Sequence, residues 1–218
     1  MRGLYTIVDT VALDRRGIEL LPFVEALLDA RPAAMQLRDK DGGARRTLER
    51  LRAMRPLAAR ASVPLFANDR PDLARLAGCD GVHVGQEDVP AALVRQIAPG
   101  LRVGLSTHDR AQVERAITED PDYLAIGPIF PTASKERPSP VVGPALLAEL
   151  TRAVRAARPA MPVVAIGGIT LDVAPEIGAI CGCAAVIGAL LPDASGPPGL
   201  YEVRDRARAL HRALGGMV

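Results

Sequence analysis

The chain has 218 residues, enough to bury a large core, and barrels of this length commonly form one domain. Its 27 Lys and Arg residues nearly balance its 25 Asp and Glu residues, so the net charge of +2 excludes a general attraction to nucleic acid or to an anionic membrane. The apolar segments are too short to span a bilayer, and the N-terminus lacks the apolar core of a signal peptide. We therefore expect a cytoplasmic protein with one domain over residues 1–218 and no nucleic-acid or membrane partner.

The three cysteines do not form a disulfide or zinc pattern. Cys79 stands alone, whereas Cys181 and Cys183 form a single C-x-C without a second pair. We expect buried, unreactive thiols, because a free cysteine behaves as a small apolar residue.

Eight short apolar segments recur along the chain, each bounded by Gly, Pro or charged residues, which is typical of strands. In chain order they are LYTIVD, AAMQLRD, VPLFAND, GVHVG, LRVGLS, YLAIGPIF, PVVAIGG and AAVIGAL. Most are separated by stretches rich in Ala, Leu and Arg, such as RRTLERLRAMRPLAARA and PALLAELTRAVRAA. Apolar residues recur in these stretches at three- and four-residue spacing, which predicts amphipathic helices.

This alternation of strands and helices favours parallel strands joined by crossover helices. Eight such units in this length predict an α/β protein with a (β/α)8 TIM barrel, and a doubly wound sheet is the structural alternative. In a barrel the carboxyl ends of all strands meet at one face, where barrel enzymes hold their active sites. The residues that follow the strands are therefore expected to converge.

Polar side chains follow the second to sixth predicted strands. They are Arg38, Asp39, Lys40, Asn68, Asp69, Gln86, Asp88, Ser106, Thr107, His108, Thr132, Ser134 and Lys135. Two carboxylates with few His or Cys residues nearby are hard oxygen ligands, suited to Mg²⁺. Together with the Arg and Lys side chains, such a metal would neutralise the charge that builds on a departing pyrophosphate. The alternative is that Asp69 and Asp88 cap the helices that follow them.

The seventh and eighth strands end in glycines, within AIGGIT and AAVIGAL. Barrels frequently bind a phosphate at this position through backbone N–H groups. Glycine allows that close approach, although a pair of glycines also occurs in ordinary turns.

Six of these segments occur in the order and spacing of the thiamine-phosphate synthase family, which the sequence resembles from about Gly3 to Leu214. They are QLRDK, NDRPDLA, GVHVGQED, GLSTH, GPIFPTASK and AIGGIT. GVHVGQED and GPIFPTASK are the most specific, whereas GGI is shared with many phosphate-binding barrels. The resemblance implies an alkyl transferase on a TIM barrel, with Mg²⁺ as cofactor. Its small-molecule substrates would be 4-amino-2-methyl-5-hydroxymethylpyrimidine diphosphate and a thiazole (carboxy)phosphate, and its products thiamine phosphate and pyrophosphate.

The resemblance also implies roles for single residues. Asp69 and Asp88 resemble the Mg²⁺ ligands, and Gln36 is similar to the residue that binds the pyrimidine. The diphosphate would be held by Arg38, Lys40, Asn68, Ser106 and Lys135, all but Asn68 expected to act in catalysis. Thr132 and Ser134 resemble contacts near the thiazole, whose phosphate would be held by Gly168, Ile187 and Gly188. None of these residues is an obvious nucleophile, which fits the dissociative substitution that the family implies.

The sequence departs from the family pattern at two positions. Gly188 stands where a Ser is usual, which removes a hydroxyl near the thiazole phosphate, although backbone donors remain. Asp109 stands where Thr or Ser is usual, and we expect it to cap the following helix and point away from the site. The Pro-rich segment 131–143 is expected to act as a lid.

Other side chains of the predicted site have less specific expectations. His83 is expected to be a wall residue and His108 a structural or capping residue. Tyr5, Phe66 and Phe130 are expected to be core residues or pocket walls, with Tyr5 and Phe130 the better candidates to touch a flat heterocycle. Two competing functions remain at this point, a thiazole tautomerase on the same barrel and a catalytically silent barrel that binds thiamine precursors. The sequence leaves open whether the protein forms a homo-oligomer and which thiazole form it uses.

Overall fold

The computed structural model describes residues 1–132, 139–194 and 196–217. Within these residues eight parallel strands pair in chain order and close into a barrel, β1 with β8. The (β/α)8 prediction is confirmed, and the doubly wound alternative is wrong. The strands are β1 (Gly3–Asp9), β2 (Ala34–Arg38), β3 (Leu65–Asn68), β4 (Gly81–Val84), β5 (Arg102–Thr107), β6 (Tyr123–Ile126), β7 (Val163–Ile166) and β8 (Cys183–Val186).

Helices surround the barrel and cover the two stretches predicted as amphipathic. The helices of the described residues are α1 (Thr10–Asp14), α2 (Leu20–Leu28), α3 (Gly43–Arg60), α4 (Pro71–Ala77), α5 (Ala91–Ile97), α6 (Arg110–Glu119), α7 (Gly143–Ala157), α8 (Ala174–Ile180) and α9 (Gly196–Ala213). A short 3₁₀ turn over Gly188–Leu190 follows β8. Because all the strands are parallel, their carboxyl ends meet at one face of the barrel.

The core has two layers, because side chains of a strand alternate between its two sides. The outer layer packs strands against helices, for example Leu37 and Val82. The inner layer fills the barrel and contains the rings of Tyr5, Phe66 and Tyr123. Gly104 on β5 makes room for one of them, because a Cβ there would lie 2.0 Å from the Tyr123 ring. These rings form a floor below the carboxyl ends of the strands.

The described cysteines are free and buried, as the sequence predicted. Burial raises the pKa of the Cys79 and Cys183 thiols to about 12, which keeps both protonated near neutral pH. No helix among the described residues has both the length and the apolarity to cross a membrane.

Candidate active site

Asp69 and Asp88 lie beside each other at the rim of the barrel. Asp69 follows β3 with a φ of 62°, and its backbone N–H donates to the carbonyl oxygen of His83 on the neighbouring strand at 2.8 Å. Asp88 lies in the loop after β4, where its Oδ2 accepts the Gly85 N–H at 2.7 Å. Burial raises the pKa of Asp69, the Lys40 ammonium lowers it, and the adjacent Asp88 carboxylate raises it again. The barrel thus brings two repelling carboxylates together.

Neither carboxylate caps a helix, so the structural alternative for this pair is wrong. The N-cap of α4 is Arg70 and that of α5 is Pro90, and neither helix has a side-chain cap. Both carboxylates therefore remain available to a ligand at the rim.

Two of the predicted cations lie on the same rim. The Lys40 ammonium pairs with the Asp69 carboxylate and remains about half exposed. The Arg38 guanidinium pairs with Asp9, whose carboxylate also accepts the Ala12 N–H and caps α1. Asp9 thereby holds Arg38 at the end of β2.

Asp39, which sits between these two cations in the sequence, points away from the rim. Its Oδ1 accepts from the Thr10 hydroxyl at 2.8 Å and from Arg50 at 2.7 Å, and its Oδ2 accepts from Thr47 at 2.9 Å. The side chain is fully buried. Asp39 therefore joins α1 and α3 to the end of β2 and does not face the site.

Below the rim, a continuous chain of hydrogen bonds crosses the barrel. Gln36 Nε2 donates to Asn68 Oδ1 at 2.6 Å, and Gln36 Oε1 accepts from the Tyr5 hydroxyl at 3.0 Å. The hydroxyls of Tyr5 and Tyr123 lie 2.9 Å apart. Tyr123 in turn contacts His83 Nδ1 at 2.8 Å, and His83 Nε2 contacts the Ser106 hydroxyl at 2.8 Å. The structure therefore connects Gln36, Asn68 and Ser106, which the sequence predicted as substrate-binding residues.

Tyr123 and the role of Tyr5 were missed by the sequence reasoning. Tyr5 is a core residue, as expected, with 1% of its surface exposed, but the sequence did not indicate that its hydroxyl contacts Gln36 and Tyr123. Tyr123 begins a predicted strand, and its alternation with Ala125 could have placed its ring inside a barrel. The small residue opposite it, Gly104, was a second signal.

The two histidines near the site have structural positions, as expected. His83 lies on β4, and burial lowers the pKa of its imidazole to about 4, so the ring is neutral near pH 7. His108 Nδ1 contacts the Gly127 carbonyl at 2.5 Å, and its backbone N–H donates to Gln112 Oε1 at 2.8 Å. The side chain of Asp109 accepts the Gln112 N–H at 2.8 Å, so the prediction that Asp109 caps α6 is confirmed.

The glycines in the loops after β7 and β8 differ in the space around them. Gly168 has a φ of 66°, and a Cβ there would lie 2.6 Å from the Pro131 carbonyl oxygen, so only glycine fits. Gly188, beside Ile187, begins the 3₁₀ turn, and a Cβ there would meet nothing within 4 Å. Thr132 lies in the described part of the loop after β6, whereas Ser134, Lys135 and most of the predicted lid lie outside the described residues.

The donor set at the rim fits a hard divalent cation that needs few protein ligands. Within the described ranges no group of three or more His, Cys, Asp or Glu side chains could enclose a metal. Mg²⁺ commonly takes one or two carboxylates and completes its shell with water and substrate phosphate oxygens. The Lys40 ammonium already pairs with Asp69, which shows that positive charge is accommodated at this point.

Comparisons with known proteins agree on one family. Residues 4–190 match the family described as thiamine monophosphate synthase. The thiamine-phosphate synthase of Roseiflexus castenholzii is 40% identical over 201 residues, covering 89% of this chain and 85% of that protein. The enzyme of the same name from Anaeromyxobacter dehalogenans is 42% identical over 191 residues, with coverage of 87% and 80%. Among solved structures, thiamine phosphate pyrophosphorylase from Pyrococcus furiosus superposes with a TM-score of 0.80 at 30% identity, covering 98% of this chain and 95% of that one.

Proposed function

The chain belongs to the thiamine monophosphate synthase family, and we propose how its site performs the family reaction, the condensation of a pyrimidine unit with a thiazole unit into thiamine phosphate. It is a transferase that acts on small molecules. The substrates we propose are 4-amino-2-methyl-5-hydroxymethylpyrimidine diphosphate and a thiazole (carboxy)phosphate, with pyrophosphate as the leaving group. The observation that carries this proposal is the pairing of Asp69 with Asp88 beside Lys40 at the barrel rim.

Asp69 and Asp88 are the proposed ligands of one Mg²⁺ ion. Their mutual repulsion, which contributes to the raised pKa of Asp69, would be relieved by a cation between them. Bound there, Mg²⁺ would neutralise charge that develops on the departing diphosphate.

The rim cations would bind the diphosphate and hold it in one orientation. Arg38 is fixed by Asp9, so its guanidinium meets the diphosphate with little further loss of conformational freedom. Lys40 can exchange its contact with Asp69 for one with a phosphate oxygen, because its side chain is about half exposed. Asn68 and Ser106 lie just below and are proposed to complete the diphosphate site with Lys135.

The proposed chemistry is dissociative and needs no nucleophilic side chain. The bond between the pyrimidine methylene carbon and the diphosphate oxygen breaks first, and the electron pair leaves with the diphosphate. The thiazole nitrogen then attacks the cationic methylene. Gln36 would orient the pyrimidine through its side-chain amide, and the protein contributes mainly orientation and stabilisation of the leaving group.

The thiazole phosphate is proposed to bind at the ends of β7 and β8. Gly188 has open space around its Cα, which allows a backbone N–H group to approach a phosphate. Gly168 and Ile187 are the other proposed contacts of this phosphate. Thr132 and Ser134 are the proposed contacts near the thiazole ring.

The decisive experiment measures pyrophosphate release by the purified protein given both substrates, with and without Mg²⁺, while thiamine phosphate is followed by mass. We expect release that requires both substrates and the metal. Isomerisation of the thiazole with no diphosphate present would instead identify a tautomerase. Tight binding of either substrate without product would identify a silent binding barrel.

The metal assignment is tested by Asp88→Asn. The new side chain retains an oxygen that can accept the Gly85 N–H, so the loop is preserved while the charge is lost. We expect turnover at limiting Mg²⁺ to fall about 100-fold, because the leaving group loses charge stabilisation. Glu87→Gln, which removes the exposed neighbouring carboxylate, is the matched control and should keep wild-type turnover. Equal activity of both variants would exclude Asp88 as a ligand.

A further inference from the structure

The chain of hydrogen bonds below the rim contains three residues to which the proposed reaction assigns no role: Tyr5, Tyr123 and His83. All three are buried inside the barrel, with at most 8% of their surface exposed. They connect Gln36 and Asn68 on one side of the barrel to Ser106 on the other. Their position suggests that they control how these polar side chains are oriented.

The hydrogen bonds in this chain all run in one direction. The Tyr5 hydroxyl donates its only hydrogen to Gln36 Oε1, so at its contact with Tyr123 it can only accept. Tyr123 thus uses its hydrogen on Tyr5 and must accept at its contact with His83, which places a hydrogen on His83 Nδ1. At the other end, Gln36 Nε2 donates to Asn68 Oδ1.

The direction of these hydrogen bonds also determines whether the Ser106 hydroxyl donates to His83 or accepts from it. A neutral imidazole carries one hydrogen, and in this chain it is on Nδ1. In the ligand-free protein His83 Nε2 therefore accepts from the Ser106 hydroxyl, at a distance of 2.8 Å. To donate to a diphosphate oxygen, Ser106 would turn this hydrogen away from His83. Each member, from Ser106 through His83, Tyr123 and Tyr5 to Gln36, donates to the next.

We propose that Tyr5, Tyr123 and His83 are positioning residues: they fix the donor and acceptor pattern that Gln36 and Asn68 present to the substrates, and they hold the Ser106 hydroxyl in the ligand-free protein. The side-chain amide of Gln36 can rotate by half a turn and exchange its oxygen and nitrogen, which would invert its hydrogen bonds to a heterocycle. The Tyr5 hydroxyl can donate to the Gln36 oxygen or accept from its nitrogen, so the orientation of Gln36 and the direction of the whole chain are fixed together. We call the chain of hydrogen bonds from Ser106 through His83, Tyr123 and Tyr5 to Gln36 the relay. The effect of the relay on substrates rests on the proposed function, whereas the direction of its hydrogen bonds does not.

Packing holds the relay in place. The Tyr5 and Tyr123 rings lie 5.9 Å apart between centroids, and the Phe66 ring lies 5.9 Å from Tyr5 and 5.7 Å from Tyr123. The His83 ring stacks on Tyr123 at 5.5 Å with an interplanar angle of 22°. Because each ring is enclosed by the others, the hydroxyls and ring nitrogens keep fixed positions.

The first test is the tautomer of His83 in the ligand-free protein, read from the ¹⁵N chemical shifts of the ring and assigned by comparison with His83→Asn. We expect the Nδ1–H form. In Tyr123→Phe that hydrogen loses its acceptor, whereas an Nε2–H could still donate to Ser106, so the major form should change to Nε2–H. Tyr5→Phe should produce the same change of tautomer, because the Tyr123 hydroxyl has lost its acceptor on Tyr5 and can donate to His83 Nδ1. This variant provides the test if Tyr123→Phe does not fold.

The second test is kinetic. In the same variants the KM for the pyrimidine diphosphate should rise about tenfold, the factor for one misplaced hydrogen bond, while the KM for the thiazole phosphate stays unchanged. Thr107→Val is the matched control, because it removes a buried hydroxyl on the same strand as Ser106 that bonds the Ala125 carbonyl outside the relay. This control should lower the Tm without changing the His83 shifts or either KM.

Several results would overturn the proposal. They are an Nε2–H form in the wild-type protein, an unchanged tautomer in both Tyr variants, or an equal rise of both KM values. A protein that shows the expected tautomers but no synthase turnover would retain the relay and reject the proposed function. The two conclusions are thus tested separately.

Discussion

At the scale of single residues, the same carboxylate chemistry has opposite uses at the end of β2 and after β3. Both carboxylate oxygens of Asp39 accept hydrogen bonds, from Thr10, Thr47 and Arg50, and its side chain is fully buried. The side chain of Asp69 is 21% exposed, and Lys40 is its cationic partner among the residues that the structure describes. A buried, satisfied carboxylate stabilises the fold, whereas a partly exposed one beside a like charge can bind a ligand.

Asp39→Ala tests the structural role of the buried carboxylate. We expect a loss of about 3 kcal/mol in the free energy of unfolding, because the Arg50 guanidinium and two hydroxyls lose their shared acceptor. Asp41→Ala removes an exposed carboxylate two residues away and should change stability by less than about 0.5 kcal/mol. Urea unfolding of both variants provides the comparison, and equal stabilities would contradict this account of Asp39.

At the scale of elements, the start of α6 explains an unusual residue of the sequence. Asp109 adds a negative charge three residues after Ser106 of the proposed diphosphate site. Its carboxylate accepts the N–H of Gln112 and so faces its own helix. The helix N-terminus carries partial positive charge that offsets this carboxylate.

Asp109→Ala should therefore affect stability and not binding. We expect a loss of about 1 kcal/mol in the free energy of unfolding, as for other N-caps, with both KM values unchanged. Asp109→Ser retains a capping oxygen and should recover most of the stability. A lower KM for the pyrimidine diphosphate in Asp109→Ala would show instead that the charge acts on the substrate.

The turn after β8 permits a gain of function. Gly188 has open space around its missing Cβ, and its backbone is not in the left-handed region. Gly188→Ser should therefore fold normally and supply the hydroxyl that the family pattern has at this position. We expect the KM for the thiazole phosphate to fall by about threefold to tenfold, the effect of one added hydrogen bond. Gly188→Ala, which adds the Cβ without the hydroxyl, is the control and should leave that KM unchanged.

At the scale of the whole molecule, the two ends of the chain depend on each other. The first strand pairs with the last, and His211 on α9 accepts the Leu4 N–H at 3.2 Å. Arg2 Nε donates to the Gly215 carbonyl at 2.8 Å. Because the barrel closes through these contacts, separating the two halves of the chain would break the β1–β8 and β4–β5 pairs.

The prediction of one domain over residues 1–218 follows this closure. We expect a single thermal transition in which the calorimetric and van't Hoff enthalpies agree, and far-UV and near-UV circular dichroism change at the same temperature. A separate early transition of α9 or of the N-terminal strands would show that residues 1–218 contain more than one folding unit despite the closed barrel.

The sequence alone determined the order of strands and helices and the residues at the rim, because both follow from local periodicity and from the position of each residue at the end of a strand. Arg38, Lys40, Asn68, Asp69, Asp88 and Ser106 were found in this way, whereas Gln36 was indicated only by the family resemblance.

Only the tertiary structure decided which of these side chains interact. The direction in which Asp39 points depends on Arg50 and Thr10, and the contact between Tyr5 and Tyr123 joins residues 118 positions apart. Such contacts are set by barrel closure and strand register, which no local pattern specifies.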